Sequence, residues 1–237
     1  MTKKVDAKLI LSVLAAGLLS FCGVIVETAM NITFPVLMNE FDLNTATVQW
    51  MTTAYLLVVA IIVPISAFLK RRFKTKTLFV TANLLFIAGL VIDATATAFP
   101  ILVAGGVVQG LGTGIALPLM FNIILDWVPD NQRGTLMGIG TLITAIAPAL
   151  GPTFGGIVVN NMDRHWIFIL LLPLLVISLF MGIFSIRQAT PPVKASFDVP
   201  AWLMVMLIFV GFTFAFSNLQ HLFNNPLLVC GWLVSWG

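Results

Sequence analysis

An all-α integral membrane protein, a six-helix bundle followed by a seventh helix and a truncated eighth, is the fold class the sequence predicts, on three observations. Of 237 residues, 59% are hydrophobic and only 9% are Asp, Glu, Lys or Arg. A soluble domain carries about 25% charged residues, so there are too few polar side chains here to cover a water-facing surface. The apolar residues come in continuous runs of about 20, the length a helix needs to cross a hydrocarbon core of about 30 Å. None of these runs alternates apolar and polar residues, as the strands of a membrane barrel do over about 10 residues. Helices, which satisfy their own backbone groups in lipid, are the remaining solution.

The first run opens at Leu9, behind Lys3, Lys4 and Lys8. It is a retained span and not a cleaved signal. It continues to about Met38, has no small-x-small cleavage site, and places bulky Phe21 before Cys22, which excludes a lipid-attachment cut. With the span centred near residue 23 or 24, Glu27 falls about 5 Å beyond the midplane. Ser20, Gly23, Glu27 and Asn31, spaced by three and four, form one polar stripe on this helix. A carboxyl there serves either as an interhelical hydrogen-bonding group or as a proton-accepting or cation-recognising site, and the residues leave both open.

The second span, about 48–69, opens with Gln49, Thr52, Thr53 and Tyr55 and ends in the basic loop Lys70, Arg71, Arg72, Lys74 and Lys76. The third, about 77–98, carries Asp93 near its outer end, and the fourth, about 100–125, carries Gln109 and Thr113 with Asp126 just after it. Both aspartates are expected at the membrane interfaces. Gln109 and Thr113, with the polar start of the second span, are candidates for lining a cavity or for interhelical hydrogen bonds worth about 1 kcal/mol each. Gly106, Gly110 and Gly114 form a small-residue ladder on the fourth span, and Ala147, Gly151 and Gly155 form another on the fifth, about 135–160. Such ladders let helix backbones approach closely. Pro148 and Pro152 free the carbonyls one turn before them. The sixth span covers about 166–186, a seventh about 200–219, and an eighth opens near Pro226 but reaches Gly237 after about a dozen residues, too short to cross.

Charge sets the expected orientation. Eleven of the 12 basic residues lie at one end of the spans, including Lys70 to Lys76, Arg133, Arg187 and Lys194, and only Arg164 lies at the other. The positive-inside rule puts the N-terminus in the cytoplasm of a multi-pass cell-membrane protein. The basic residues are spread over juxtamembrane loops, so nucleic-acid binding has no support. His165 and His221 have no companions at metal-ligand spacing, and Cys22 and Cys230 read as small hydrophobes, so neither metal nor cofactor is expected. No phosphate-binding loop and no catalytic constellation converges, so neither an ATP-driven pump nor an enzyme is indicated.

Pro148-Ala149-Leu150-Gly151-Pro152-Thr153-Phe154-Gly155-Gly156 resembles the antiporter motif G-P-x-x-G-G of the fifth helix of the major facilitator superfamily. Glu27 to Pro35 resembles the first-helix motif of its fourteen-helix drug:proton antiporters, and Gln49 to Leu57 is similar to their second-helix start. Pro129 to Gly134 and Arg164 to Phe168 match their fourth-to-fifth loop and sixth-helix start. The wording as a whole looks closest to lincomycin-resistance-type multidrug exporters. Three positions depart from the pattern. Arg71 stands where the superfamily has a loop acid, Gly106 where it has an arginine on helix 4, and Glu27 lies one residue from the usual first-helix acid position, Val26.

This resemblance implies an amino-terminal transporter domain over residues 1–186, a cytoplasmic loop over 187–199, and the seventh helix with an incomplete eighth over 200–237. It implies proton-driven export of small amphipathic or cationic compounds, with Glu27, Asn31, Tyr55 and Gln109 as coupling or substrate residues. The partners it implies are small molecules, protons, the bilayer and a missing carboxy-terminal half or second chain. A truncated, non-transporting membrane protein or assembly partner is the alternative reading. A seven-helix receptor is opposed by the cytoplasmic N-terminus and the eighth apolar run.

Overall fold

The computed structural model describes residues 6–187 and 199–217 of the chain. Its helices are α1 (Ala7–Ile32), α2 (Phe34–Phe41), α3 (Thr45–Arg72), α4 (Thr75–Ala94), α5 (Phe99–Trp127), α6 (Asp130–Asn161), α7 (His165–Ser185) and α8 (Val199–Ser217). Helices α1 and α3 to α7 are each long and apolar enough to cross a membrane, which makes this a multi-pass membrane protein. Large apolar side chains such as Leu142, Ile157, Phe180 and Phe184 are exposed on the bundle, as suits a surface facing lipid. The α1–α7 bundle is one compact unit and α8, an apolar helix, belongs to another. Lys3, Lys4, Lys194, His221, Cys230 and the eighth apolar run lie outside the described residues.

The first span is shorter than the sequence suggests. Its apolar run continues with few breaks to about Met38, yet α1 ends at Ile32 and the chain restarts as the short α2 after Thr33. Pro35 explains the break, because its ring would clash with the carbonyl of Asn31 in a continuous helix. Thr33 seals it, its hydroxyl donating to the Met30 carbonyl at 2.7 Å. The middle of α1 therefore falls between Leu19 and Ser20, and Glu27 lies about 11 Å beyond it at 1.5 Å per residue.

Glycines set how the bundle packs. Helix α5 is its axis. A Cβ at Gly110 would lie 2.9 Å from the Tyr55 carbonyl oxygen, and one at Gly114 would lie 2.7 Å from Ile62 Cβ, so this ladder is the seat of α3. On another face of α5, a Cβ at Gly112 would lie 2.6 Å from the Ala82 carbonyl oxygen of α4. Gly182 of α7 leaves room for the Phe79 ring of α4. The Ser178 hydroxyl of α7 donates to the Ala15 carbonyl of α1 at 2.8 Å and accepts from Asn83 Nδ2 of α4 at 3.1 Å. Between these seams lies an apolar core that includes Leu19, Cys22, Val26, Phe79, Phe86, Met120 and Leu175.

Lys8, Lys70 to Lys76, Arg133 and Arg187 lie at one end of the bundle, called here the basic end, and Arg164 lies at the other. At the basic end Arg187 after α7 pairs with Asp6, which caps α1, at 3.1 Å. The opposite, acidic end gathers α2, the Thr95–Ala98 connection and the turn at Asp163.

Candidate functional site

Tyr55 is the hub of the polar residues on the stripe-bearing face of α1. It is 1% exposed on α3, where the small residues of α5 let that helix settle closely. Its hydroxyl donates to the Gly23 carbonyl of α1 at 3.0 Å and shares a 2.9 Å hydrogen bond with Thr113 Oγ1 of α5. The Gly23 carbonyl also receives the Glu27 N–H within the helix, so the phenol touches the turn that carries the acid. Gly23 itself is required by the crossing, since a Cβ there would lie 2.7 Å from Thr113 Oγ1.

One turn on, Glu27 is half-buried and acts on Tyr55 through space. Ion pairs among the described residues engage Asp6, Glu40, Asp126 and Asp130, and Glu27 is in none of them. Asn31, exposed at the end of the stripe, accepts from Thr52 Oγ1 of α3 at 3.0 Å. Ser20 turns back on its own helix, donating to the Ala16 carbonyl at 3.0 Å. The stripe thus presents Gly23, Glu27 and Asn31 toward Tyr55 and Thr52. Gln109 is placed elsewhere. It is fully buried between α4 and α5, where Nε2 donates to Asp93 Oδ2 at 2.6 Å. Asp93, expected at an interface, is likewise fully buried, because α4 closes on the glycines of α5.

The Gly-Pro motif of α6 packs on the neighbouring face of α1. A Cβ at Gly151 would overlap Thr28 and lie 3.2 Å from the Ile25 carbonyl oxygen, and one at Gly155 would lie 3.1 Å from Ala29 Cα. Pro148 and Pro152 are exposed, and a Cβ at Gly156 would meet nothing within 4 Å. Ile25, Thr28 and Ala29 face the motif while Gly23, Glu27 and Asn31 face α3, so α1 separates the two features by the width of one helix.

Two further ion pairs among the described residues, one at each end of the bundle, join helices in ways the sequence reading had not. At the basic end, Lys70 Nζ reaches Asp126 Oδ1 at 2.8 Å and Asn122 Oδ1 at 3.3 Å, fastening α3 to α5. Arg71, Arg72, Lys74 and Lys76 are exposed. At the acidic end, Arg164 is 5% exposed and grips Glu40 with both arms, Nε to Oε2 at 2.6 Å and Nη2 to Oε1 at 2.8 Å. It also donates to the Ala96 carbonyl at 3.0 Å and lies 5.2 Å from the Phe41 ring centre. The Arg164 hydrogen bond, then its charge, hold the Glu40 carboxyl below the usual carboxylate range against the opposing effect of burial. The signal for this pair was in the sequence, since Arg164 is the lone base among acids at that end.

The Major Facilitator Superfamily model matches residues 16–237. Over 210 residues the chain is 43% identical to the lincomycin resistance protein LmrB of Bacillus subtilis, covering 89% of this chain and 43% of that one. It is 28% identical to the multidrug export protein EmrB of Haemophilus influenzae, over 70% of this chain and 32% of that one. Among solved structures, the peptide transporter POT in complex with sulfate superposes with a TM-score of 0.67 at 17% identity, over 91% of this chain and 46% of that one. A D-xylose–proton symporter superposes with a TM-score of 0.65 at 16% identity, over 94% and 55%. These two share the fold. The chain spans less than half the length of the curated relatives named here.

Proposed function

Because the chain belongs to the Major Facilitator Superfamily, we propose that it is the amino-terminal bundle of an exporter that exchanges protons for small amphipathic or cationic compounds across the cell membrane. Its domain is residues 1–186, joined through 187–199 to the helices of 200–237, with the basic end in the cytoplasm. Resistance and export proteins among its relatives support the direction of transport. The observation that carries the reading is Glu27, a half-buried carboxyl outside every ion pair among the described residues, beside Tyr55 and Asn31.

In a bilayer such a group is tolerated as an uncharged acid or as a carboxylate facing a cation. Proton and cationic substrate therefore compete for one oxygen pair, and release of one accompanies binding of the other. Tyr55, fixed by Gly23 and Thr113, would orient the approach, and Asn31 with Thr52 would offer hydrogen-bonding groups to an amphipathic substrate. The glycine seam between α6 and α1 supplies the close packing through which rocking of one bundle against another would reach Glu27. Dye accumulation in cells tests the reading. Export of a cationic dye should stop when the proton gradient is collapsed, and export unchanged by collapse would refute proton coupling.

A further inference from the structure

The acidic end buries a carboxyl that the transport reading leaves unused. Asp93, in the last turn of α4, has no exposed surface. One of its oxygens accepts from Gln109, while the other, Oδ1, and Gln109 Oε1 have no hydrogen-bond partner. The place is shaped for these two groups. A Cβ at Gly105 would overlap the Asp93 carboxyl, and one at Gly89 would overlap the Gln109 side chain.

A buried carboxylate without a counter-charge is costly, and the negative end of the α4 macrodipole adds to that cost. The surrounding charges offset it only in part. From α5 the carboxyl meets uncharged Gln109. From the start of α7 come Arg164 and His165, and from α2 Glu40. Arg164 acts on Asp93 through space and its Nη1 has no hydrogen-bond partner, but its Nε and Nη2 are bound to Glu40 and the Ala96 carbonyl, and His165 Nε2 also lies 3.3 Å from that carbonyl. Among the described residues no ion pair reaches Asp93. What Arg164 leaves unbalanced is open to a mobile cation.

We propose that Asp93 and Gln109 form a second coupling-ion site, one that binds a single monovalent cation, either a proton on Asp93 Oδ1 or a sodium ion held by Oδ1 and Gln109 Oε1. The Arg164–Glu40 pair is anchored at the Ala96 carbonyl, three residues along the chain from Asp93. Occupancy of the site stands independently of the export reading, and only its use in transport rests on it.

Infrared spectroscopy of the purified chain in lipid, with and without sodium, reads the site directly. A bound proton gives the carbonyl stretch of a protonated carboxylic acid, present in wild type and in Glu27→Gln and lost in Asp93→Asn. A bound sodium ion gives a sodium-induced carboxylate change and thermal stabilisation, again retained in Glu27→Gln and lost in Asp93→Asn. Should Asp93→Asn fail to fold, isotope-labelled aspartate in the wild-type chain shifts the same bands and assigns them to an aspartate. Neither signal in wild type, or both signals unchanged in Asp93→Asn or by the label, overturns the proposal. A lack of export with these signals intact counts against the transport reading alone.

Discussion

At the residue scale the account turns on contacts that allow no substitution on one side alone. A methyl at Gly23 runs into the Thr113 hydroxyl, so Gly23→Ala should destabilise the bundle by about 1–3 kcal/mol, as overpacking does. Thr113→Ala, which removes the colliding atoms, should recover most of that loss, giving a non-additive double mutant in unfolding assays. The Arg164–Glu40 pair predicts a pH dependence. Its folded carboxyl titrates below the usual carboxylate range, so the pair's contribution is complete above that range and is lost as pH falls through the lowered value. Glu40 is 40% exposed, so the contribution at neutral pH should be about 1 kcal/mol after solvent screening. Thermal unfolding of wild type should weaken in acid by that amount more than Glu40→Gln does. Why Arg164 meets Glu40 was not written locally, because 124 residues separate them and only the meeting of three connections joins them.

At the element scale, the glycines of α6 make the prediction. Gly151→Leu and Gly155→Leu should push α6 from α1 and abolish export at equal expression, whereas Gly156→Leu should leave the bundle's thermal stability unchanged, since nothing lies within 4 Å of its Cβ position. Unaltered export by the first two variants would show the seam to be incidental. The ladders were legible in sequence because small residues at four-residue spacing mark one face of a helix. Which helix each ladder meets was not, since spacing fixes a face and not its neighbour. The same limit explains Gln109. It lies one turn from Thr113, yet the two residues contact different helices. The break at Thr33 was legible in principle through Pro35, but the apolar run that continues to about Met38 masked it and displaced the expected midplane toward Glu27.

At the scale of the whole molecule, composition and run length were sufficient for the all-helical membrane fold, because lipid leaves so few solutions to the backbone. The proposed orientation rests on the basic asymmetry and is checked by labelling. In intact cells an impermeant thiol reagent should modify Asp42→Cys and spare Lys74→Cys, and the reverse pattern would invert the topology. The central claim is that Glu27 exchanges a proton for a cation. The transporter containing this bundle, reconstituted in liposomes with an imposed proton gradient, tests that claim through Glu27→Gln, which keeps shape and hydrogen bonding but cannot ionise. Gradient-driven movement of a cationic dye should occur with wild type and be lost in Glu27→Gln, while movement by Glu27→Gln at the wild-type rate would contradict the account and make Glu27 a packing residue.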